Sequence, residues 1–248
     1  MRSILIICFS LLSSRLAAQS KPVIYEQQTW LGYYPQYKFS RHWGLWFDSE
    51  IHTGDHFFNG FSQGTLRLAA TYYNNKKNKF TAGYGITDFF PGDNHKYISI
   101  SERFLWQQYQ WFGYTPNTKL MQWLRMEEKW KTDVQDDYTA ANTSSFLYRW
   151  RYNIFYTIAL SKKGMVPNAV SLALGNELYL YYGPRLSNHV FDQDRVFAGF
   201  SYAVNSHDNL VFGMMNMLQS DLSGTQYKDN LVLRFSFFEN IGTHRTAE

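Results

Sequence analysis

Charged residues two positions apart give this chain its first chemical signal. Arg149 and Arg151 are so placed, as are Arg125, Glu127 and Lys129, and Asp48 and Glu50. In an extended strand, residues two apart share a face. Assigned by that alternation, one face receives Asp48, Glu50, Arg67, Arg103, Arg125, Glu127, Lys129, Arg149, Arg151, Glu177, Arg195 and Arg234, eight cations and four anions. Lining an open lumen, such a set would favour anionic solutes, because rings of charge set the selectivity of pores. Paired with one another, the same side chains would fill a narrow barrel as a polar core.

Other constellations are weaker. Between Pro184 and Arg195 the chain carries Ser187, Asn188, His189, Asp192 and Asp194, the residue types of a nucleophile, a base and orienting acids. Catalysis would require the base to reach the nucleophile's proton, and a polar loop built from ordinary turn residues accounts for the same letters. His52 and His56 are four apart but straddle a Gly54-Asp55 turn, so the helical spacing of a metal-binding pair does not apply. Asp133, Asp136 and Asp137 could gather divalent cations that bridge lipopolysaccharide phosphates, or simply form a solvated acidic loop. The one cysteine, Cys8, lies in the first twenty residues, which leaves the rest of the chain no thiolate chemistry. We expect no cofactor, no metal and no enzymatic activity. The formal charge of +4 is spread along the chain without a basic block, which sets nucleic acid aside.

The elements that must position these charges are strands. In Phe146–Leu160, the even positions Phe146, Tyr148, Trp150, Tyr152, Ile154, Tyr156, Ile158 and Leu160 are apolar or aromatic, and Arg149, Arg151, Asn153 and Thr157 alternate with them. A helix would mix the arginines among the aromatics; a strand separates them. Phe80, Ala82, Tyr84 and Ile86 alternate with Thr81, Gly83, Gly85 and Thr87. Val170, Leu172, Leu174, Leu178 and Leu180 alternate with Ser171, Ala173, Gly175 and Glu177, and Leu231, Leu233, Phe235 and Phe237 with Asn230, Val232, Arg234 and Ser236. Weaker versions run near residues 29–39, 43–53, 64–74, 98–112, 119–131, 194–204 and 209–219, for eleven candidate strands. Short connections, such as 40–42, 74–78, 161–164 and 205–208, interleave with longer ones near 54–62, 90–97, 132–143, 183–193 and 220–228. That asymmetry is expected of outer-membrane barrels.

Nineteen per cent of the residues are aromatic, although mean hydropathy is only -0.40. A soluble core has little use for so many amphipathic rings, whereas the interfacial girdles of a membrane barrel do. The chain opens with Met1-Arg2-Ser3, an apolar run from Ile4 to Leu12 and small residues up to Ala18-Gln19, the three parts of a signal peptide. The expectation is therefore an all-β fold: residues 1–19 as a cleaved signal peptide, and residues 20–248 as one antiparallel transmembrane β-barrel of the outer membrane. Single-chain bacterial barrels close with an even number of strands. Twelve are expected, with a short extra strand over residues 21–28, and ten is the alternative.

The chain resembles a family of bacterial barrels catalogued as domain of unknown function 2490. The residues that carry the likeness are Trp30-Leu31-Gly32-Tyr33, Trp43-Gly44-Leu45, Trp123-Leu124-Arg125-Met126-Glu127-Glu128, Arg149-Trp150-Arg151-Tyr152, Asn176-Glu177-Leu178 and Phe191-Asp192-Gln193-Asp194-Arg195. The resemblance would cover essentially the whole mature chain. It implies an outer-membrane barrel and brings no activity, ligand or catalytic residue with it. Alternating apolar residues ending in Phe237-Phe238 look like the signal read by barrel-insertion machinery. The partners expected are outer-membrane lipids and lipopolysaccharide, that machinery during biogenesis, and a small anionic solute. A narrow channel or small-solute binding barrel is the leading function; a lipid-modifying hydrolase or deacylase, or a purely structural barrel, is the alternative.

Overall fold

A computed structural model describes residues 21–75, 77–91, 97–183, 190–221 and 224–242. The proposed signal peptide therefore lies outside the described residues. Eleven strands close into one barrel: β1 (Val23–Lys38), β2 (Trp43–Thr53), β3 (Phe61–Tyr73), β4 (Asn78–Phe89), β5 (Ile100–Tyr114), β6 (Thr118–Asp136), β7 (Thr139–Ala159), β8 (Val170–Tyr182), β9 (Phe191–Ala203), β10 (Asn209–Ser220) and β11 (Tyr227–Gly242). Neighbours in sequence pair antiparallel, and β1 pairs with β11 in parallel, from Val23↔Tyr227 to Lys38↔Gly242.

The count is thus eleven, neither twelve nor ten, and the barrel is mixed rather than wholly antiparallel. Residues 23–28, expected to supply the extra strand, continue β1 without a break. An even number is needed only where the closing pair is antiparallel. A parallel closing pair removes both sheet edges equally well, and it fixes the count as odd.

Two rims follow from this order. The connections after β1, β3, β5, β7 and β9 form one, called here the turn rim; those after β2, β4, β6, β8 and β10 form the loop rim. β1 starts at the loop rim, where Pro22 O accepts the Tyr227 N–H at 3.0 Å and Lys21 Nζ donates to Gly224 O at 2.6 Å. Expected loop lengths change in two places. Residues 132–143 form the end of the long β6–β7 hairpin and not a loop, with Asp137 and Tyr138 at its turn. Its Asp133 carboxylate accepts the hydroxyls of Thr143, at 2.7 Å, and of Ser145, and Asp136 accepts the Tyr138 N–H at 2.8 Å. The acidic cluster thus pins a hairpin tip. The β7–β8 connection extends over residues 160–169, and Asn168 N donates to Ala203 O there at 2.7 Å.

Alternation splits every strand between two faces. The outer face carries exposed apolar side chains on all sides, among them Leu31, Leu45, Leu68, Tyr84, Leu105, Leu124, Ile154, Leu174, Val196, Met214 and Leu231. The inner face holds the charges together with large rings. Glycines make room for the rings: a Cβ on Gly85 would stand 2.3 Å from the Phe104 ring, and one on Gly175 would stand 2.7 Å from Phe155. Small residues set opposite large ones let an eleven-strand lumen fill with side chains.

Candidate functional site

The middle of the lumen is a buried ion-pair network. Glu127 on β6 is fully buried and accepts hydrogen bonds from Arg149 Nε and Arg151 NH1, each at 2.7 Å, with Arg149 NH2 in ion-pair contact at 2.6 Å. Arg125 NH1 stands 3.7 Å from the same carboxylate. Arg151 also donates to Glu177 on β8 through Nε and NH2, at 2.8 and 2.6 Å. Across the barrel, Arg67 NH1 bridges Asp48 at 2.8 Å and Glu50 at 3.1 Å, and Glu102 pairs with Lys129 at 2.8 Å. Register explains these pairs: Asp48 faces Arg67, Glu127 faces Arg149, and Glu177 lies between Asn153 and Arg195.

Aromatic rings interleave the charges. Arg125 lies over Trp106 and Trp123, at 4.2 and 4.9 Å to the ring centroids, and Arg151 over Tyr179 at 4.4 Å. Arg195 sits between Trp30, at 4.7 Å, and Tyr179, at 4.4 Å. Guanidinium planes suit such stacking, which neutralises part of the desolvation cost without a counter-charge.

Asp48, Glu50, Arg67, Arg125, Glu127, Lys129, Arg149, Arg151, Glu177, Arg195 and Arg234 all lie on the inner face. Arg103 does not. It is exposed on the outer face, and its neighbour Glu102 takes the inner position. β5 misleads because it carries rings on both sides: Phe104 and Trp106 point inward, Leu105 and Tyr109 outward. Gln108 and Gln110 share the even phase with Glu102 and were the available signal. Sequence reasoning also missed the inner Trp30, His52, Trp106, Trp123, Tyr179 and Tyr181, since it expected aromatics outside. Asp192 is a further omission. A register shift opposite Tyr179 and Leu180 turns it inward, 1% exposed, with Arg149 NH1 at 3.6 Å.

The hydrolase candidates fall partly outside the described residues. Ser187, Asn188 and His189 lie outside them, while Asp192 is inside the lumen and Asp194 on the outer face, accepting Asn176 Nδ2 at 2.6 Å. His52 stacks on Trp30 inside the barrel at 3.8 Å, whereas His56 belongs to the loop after β2. No group of three or more metal-ligating side chains occurs among the described residues.

Towards the loop rim the network opens into a polar vestibule of about 100 Å3, room for a few waters. Its wall includes Arg67, Lys129, Lys131, Arg149, Arg151 and Arg195, against Glu50 and Glu102, with Trp30, His52, Tyr179 and Tyr181 between them. Beneath it the lumen is filled. Phe104, Trp106, Gln108, Ala173, Met215, Val232 and Ser236 all face inward, yet none is more than 1% exposed. A continuous water path would have to expose some of them.

These features define a class: a closed β-barrel with a charged, plugged interior and an apolar outer surface. The chain belongs to the family described as protein of unknown function (DUF2490), whose model matches residues 27–228. No curated protein and no solved structure matches it.

Proposed function

We propose that this protein is an outer-membrane barrel that binds a small solute in a blind vestibule at its loop rim and does not conduct. The membrane reading rests on the outer face. Its aliphatic band is flanked by Trp43, Tyr37, Tyr72 and Tyr156 towards the turn rim, and by Tyr25, Trp130, Tyr148 and Tyr182 towards the loop rim. Rings at two levels around an apolar band match the two interfaces of a bilayer. In hydrocarbon only a closed sheet satisfies every backbone donor and acceptor.

One observation carries binding over conduction: inward side chains below the vestibule are sealed from water, as Trp106 and Met215 illustrate at 1% exposure each. The loop-rim end retains polar walls and open space. The test is planar-bilayer recording of the refolded, heat-modifiable protein, alongside fractionation of cells that express the full chain. Recovery with the outer membrane and no steady conductance are expected. A stable, ion-selective open level would overturn the blind vestibule, and recovery of the mature protein in the soluble periplasm would overturn the membrane reading.

A further inference from the structure

Most cations of the vestibule are already committed. Arg67 is held by Asp48 and Glu50, Lys129 by Glu102, Arg149 by Glu127 and Asp192, and Arg151 by Glu127 and Glu177. Arg195 is different. Its Nε and NH2 both donate to Gln193 Oε1, at 3.0 and 2.7 Å, and no carboxylate among the described residues lies within 4.0 Å of it. Trp30 and Tyr179 both lie against its guanidinium, at 4.7 and 4.4 Å to the ring centroids, and its cross-strand neighbour Glu177 stays beyond ion-pair distance.

Beside it stands a second unfulfilled donor. The Tyr179 hydroxyl is buried, in a residue 1% exposed, and makes no hydrogen bond among the described residues. Arg67 Nε, also on this wall, is buried without an acceptor. Burying donors unpaired is unfavourable, and here the unpaired groups on the vestibule wall include a phenol and a guanidinium nitrogen next to a cation that has no carboxylate within 4.0 Å. Lys131 adds a second cation without a carboxylate within 4.0 Å, its Nζ 4.2 Å from the Phe89 ring centroid near the mouth. Donors and positive charge without acceptors are the complement of an oxyanion.

We infer that the vestibule is a binding site for a small oxyanion, a carboxylate or phosphate group of a few heavy atoms, held by Arg195 and the Tyr179 hydroxyl. This rests on the blind-vestibule reading and adds the ligand's chemistry. The apolar floor limits depth, and the modest volume excludes a bulky solute unless only its anionic end enters.

Calorimetric titration of the refolded full chain with inorganic phosphate, acetate and neutral glucose tests it. Phosphate or acetate should bind and glucose should not. Tyr179→Phe removes only the hydroxyl and keeps the ring between its guanidiniums, so the barrel should fold as before and oxyanion affinity should fall by about tenfold or more, the loss expected for one hydrogen bond to a charged group. Arg195→Met should abolish measurable binding, and its fold is checked by gel mobility without heating. Unchanged affinity in Tyr179→Phe overturns the assignment to this wall. Heat from glucose alone overturns the oxyanion and leaves a binding vestibule standing. No heat from any of the three overturns both.

Discussion

Replacing Glu127 by Gln removes one negative charge from between three guanidiniums while barely changing shape. The glutamate accepts two hydrogen bonds of 2.7 Å, from Arg149 Nε and Arg151 NH1, with Arg149 NH2 in ion-pair contact at 2.6 Å and Arg125 NH1 at 3.7 Å. Each charge-assisted bond contributes about 1.5–3 kcal/mol. Not all of that is lost, because Gln keeps one carbonyl oxygen, Arg151 keeps Glu177 and Arg149 keeps Asp192. The amide nitrogen, however, would turn a donor towards donors in a site with no exposure to water. Breaking a buried ion pair from one side costs about 3–5 kcal/mol, and we expect Glu127→Gln to fall in that range. Urea titration of the protein refolded in lipid vesicles, followed by tryptophan fluorescence and unheated gel mobility, reads the loss as a lower midpoint with unchanged slope. A second change, Arg125→Met, should restore about 1 kcal/mol or more by removing one uncompensated cation. If Glu127→Gln stays within about 1 kcal/mol of the parent, the network is not what holds the lumen together, and the account of a plugged interior fails with it.

Two further outcomes are expected. Ile154→Arg places a charge on the outer face in the middle of β7, where a bilayer charges about 2–4 kcal/mol for it; Ile154→Leu should be nearly neutral, and equal folding yields in vesicles would contradict a lipid-facing β7. In the loop after β2, the Asp55 carboxylate accepts the backbone N–H of Gln27 at 2.9 Å and of His56 at 2.8 Å, which hold it below the ordinary carboxylate range. Its folded pKa being the lower one, the carboxylate's contribution to the loop's attachment to β1 is fully present above the unfolded carboxylate value of about 4 and is lost as pH falls through the folded value, while the Phe57 N–H to Gln27 O bond remains. The protection factors of the Gln27 and His56 amides, corrected for the intrinsic pH dependence of exchange, should therefore fall at low pH and stay constant over that window in Asp55→Asn; identical profiles would refute the assignment.

Much of the barrel was legible because period two is a strong constraint. In β4, β7, β8 and β11, polar or small residues alternate with apolar ones, and the faces assigned from that pattern are the faces the strands present. Eleven strands were visible as well, and the expectation of twelve came from a rule about antiparallel closure that this chain escapes. What the pattern could not convey was the inside. A lumen of eleven strands needs volume as well as polarity, so Trp30, Phe104, Trp106 and Phe197 occupy inner positions that hydropathy assigns outward. That requirement erased the phase of β5 and displaced Arg103. The vestibule was illegible for a different reason. It depends on which arginine lacks a carboxylate, and on a register shift at Asp192, both properties of pairing across strands.

The parallel seam also dictates where the barrel can be cut and rejoined. β1 begins at one rim and β11 ends at the other, so the two free strand ends are separated by the length of a 16-residue strand, about 50 Å at ~3.3 Å per residue. In a barrel closed by antiparallel strands, a short peptide can join the ends and new termini can be opened in any hairpin. Here the joining peptide would have to run the full height of the wall, inside a filled lumen or across the apolar exterior. Circular permutants should therefore be inaccessible to this architecture, and sequence drift in the family should conserve the order of its strands where even-stranded barrels are free to rotate theirs.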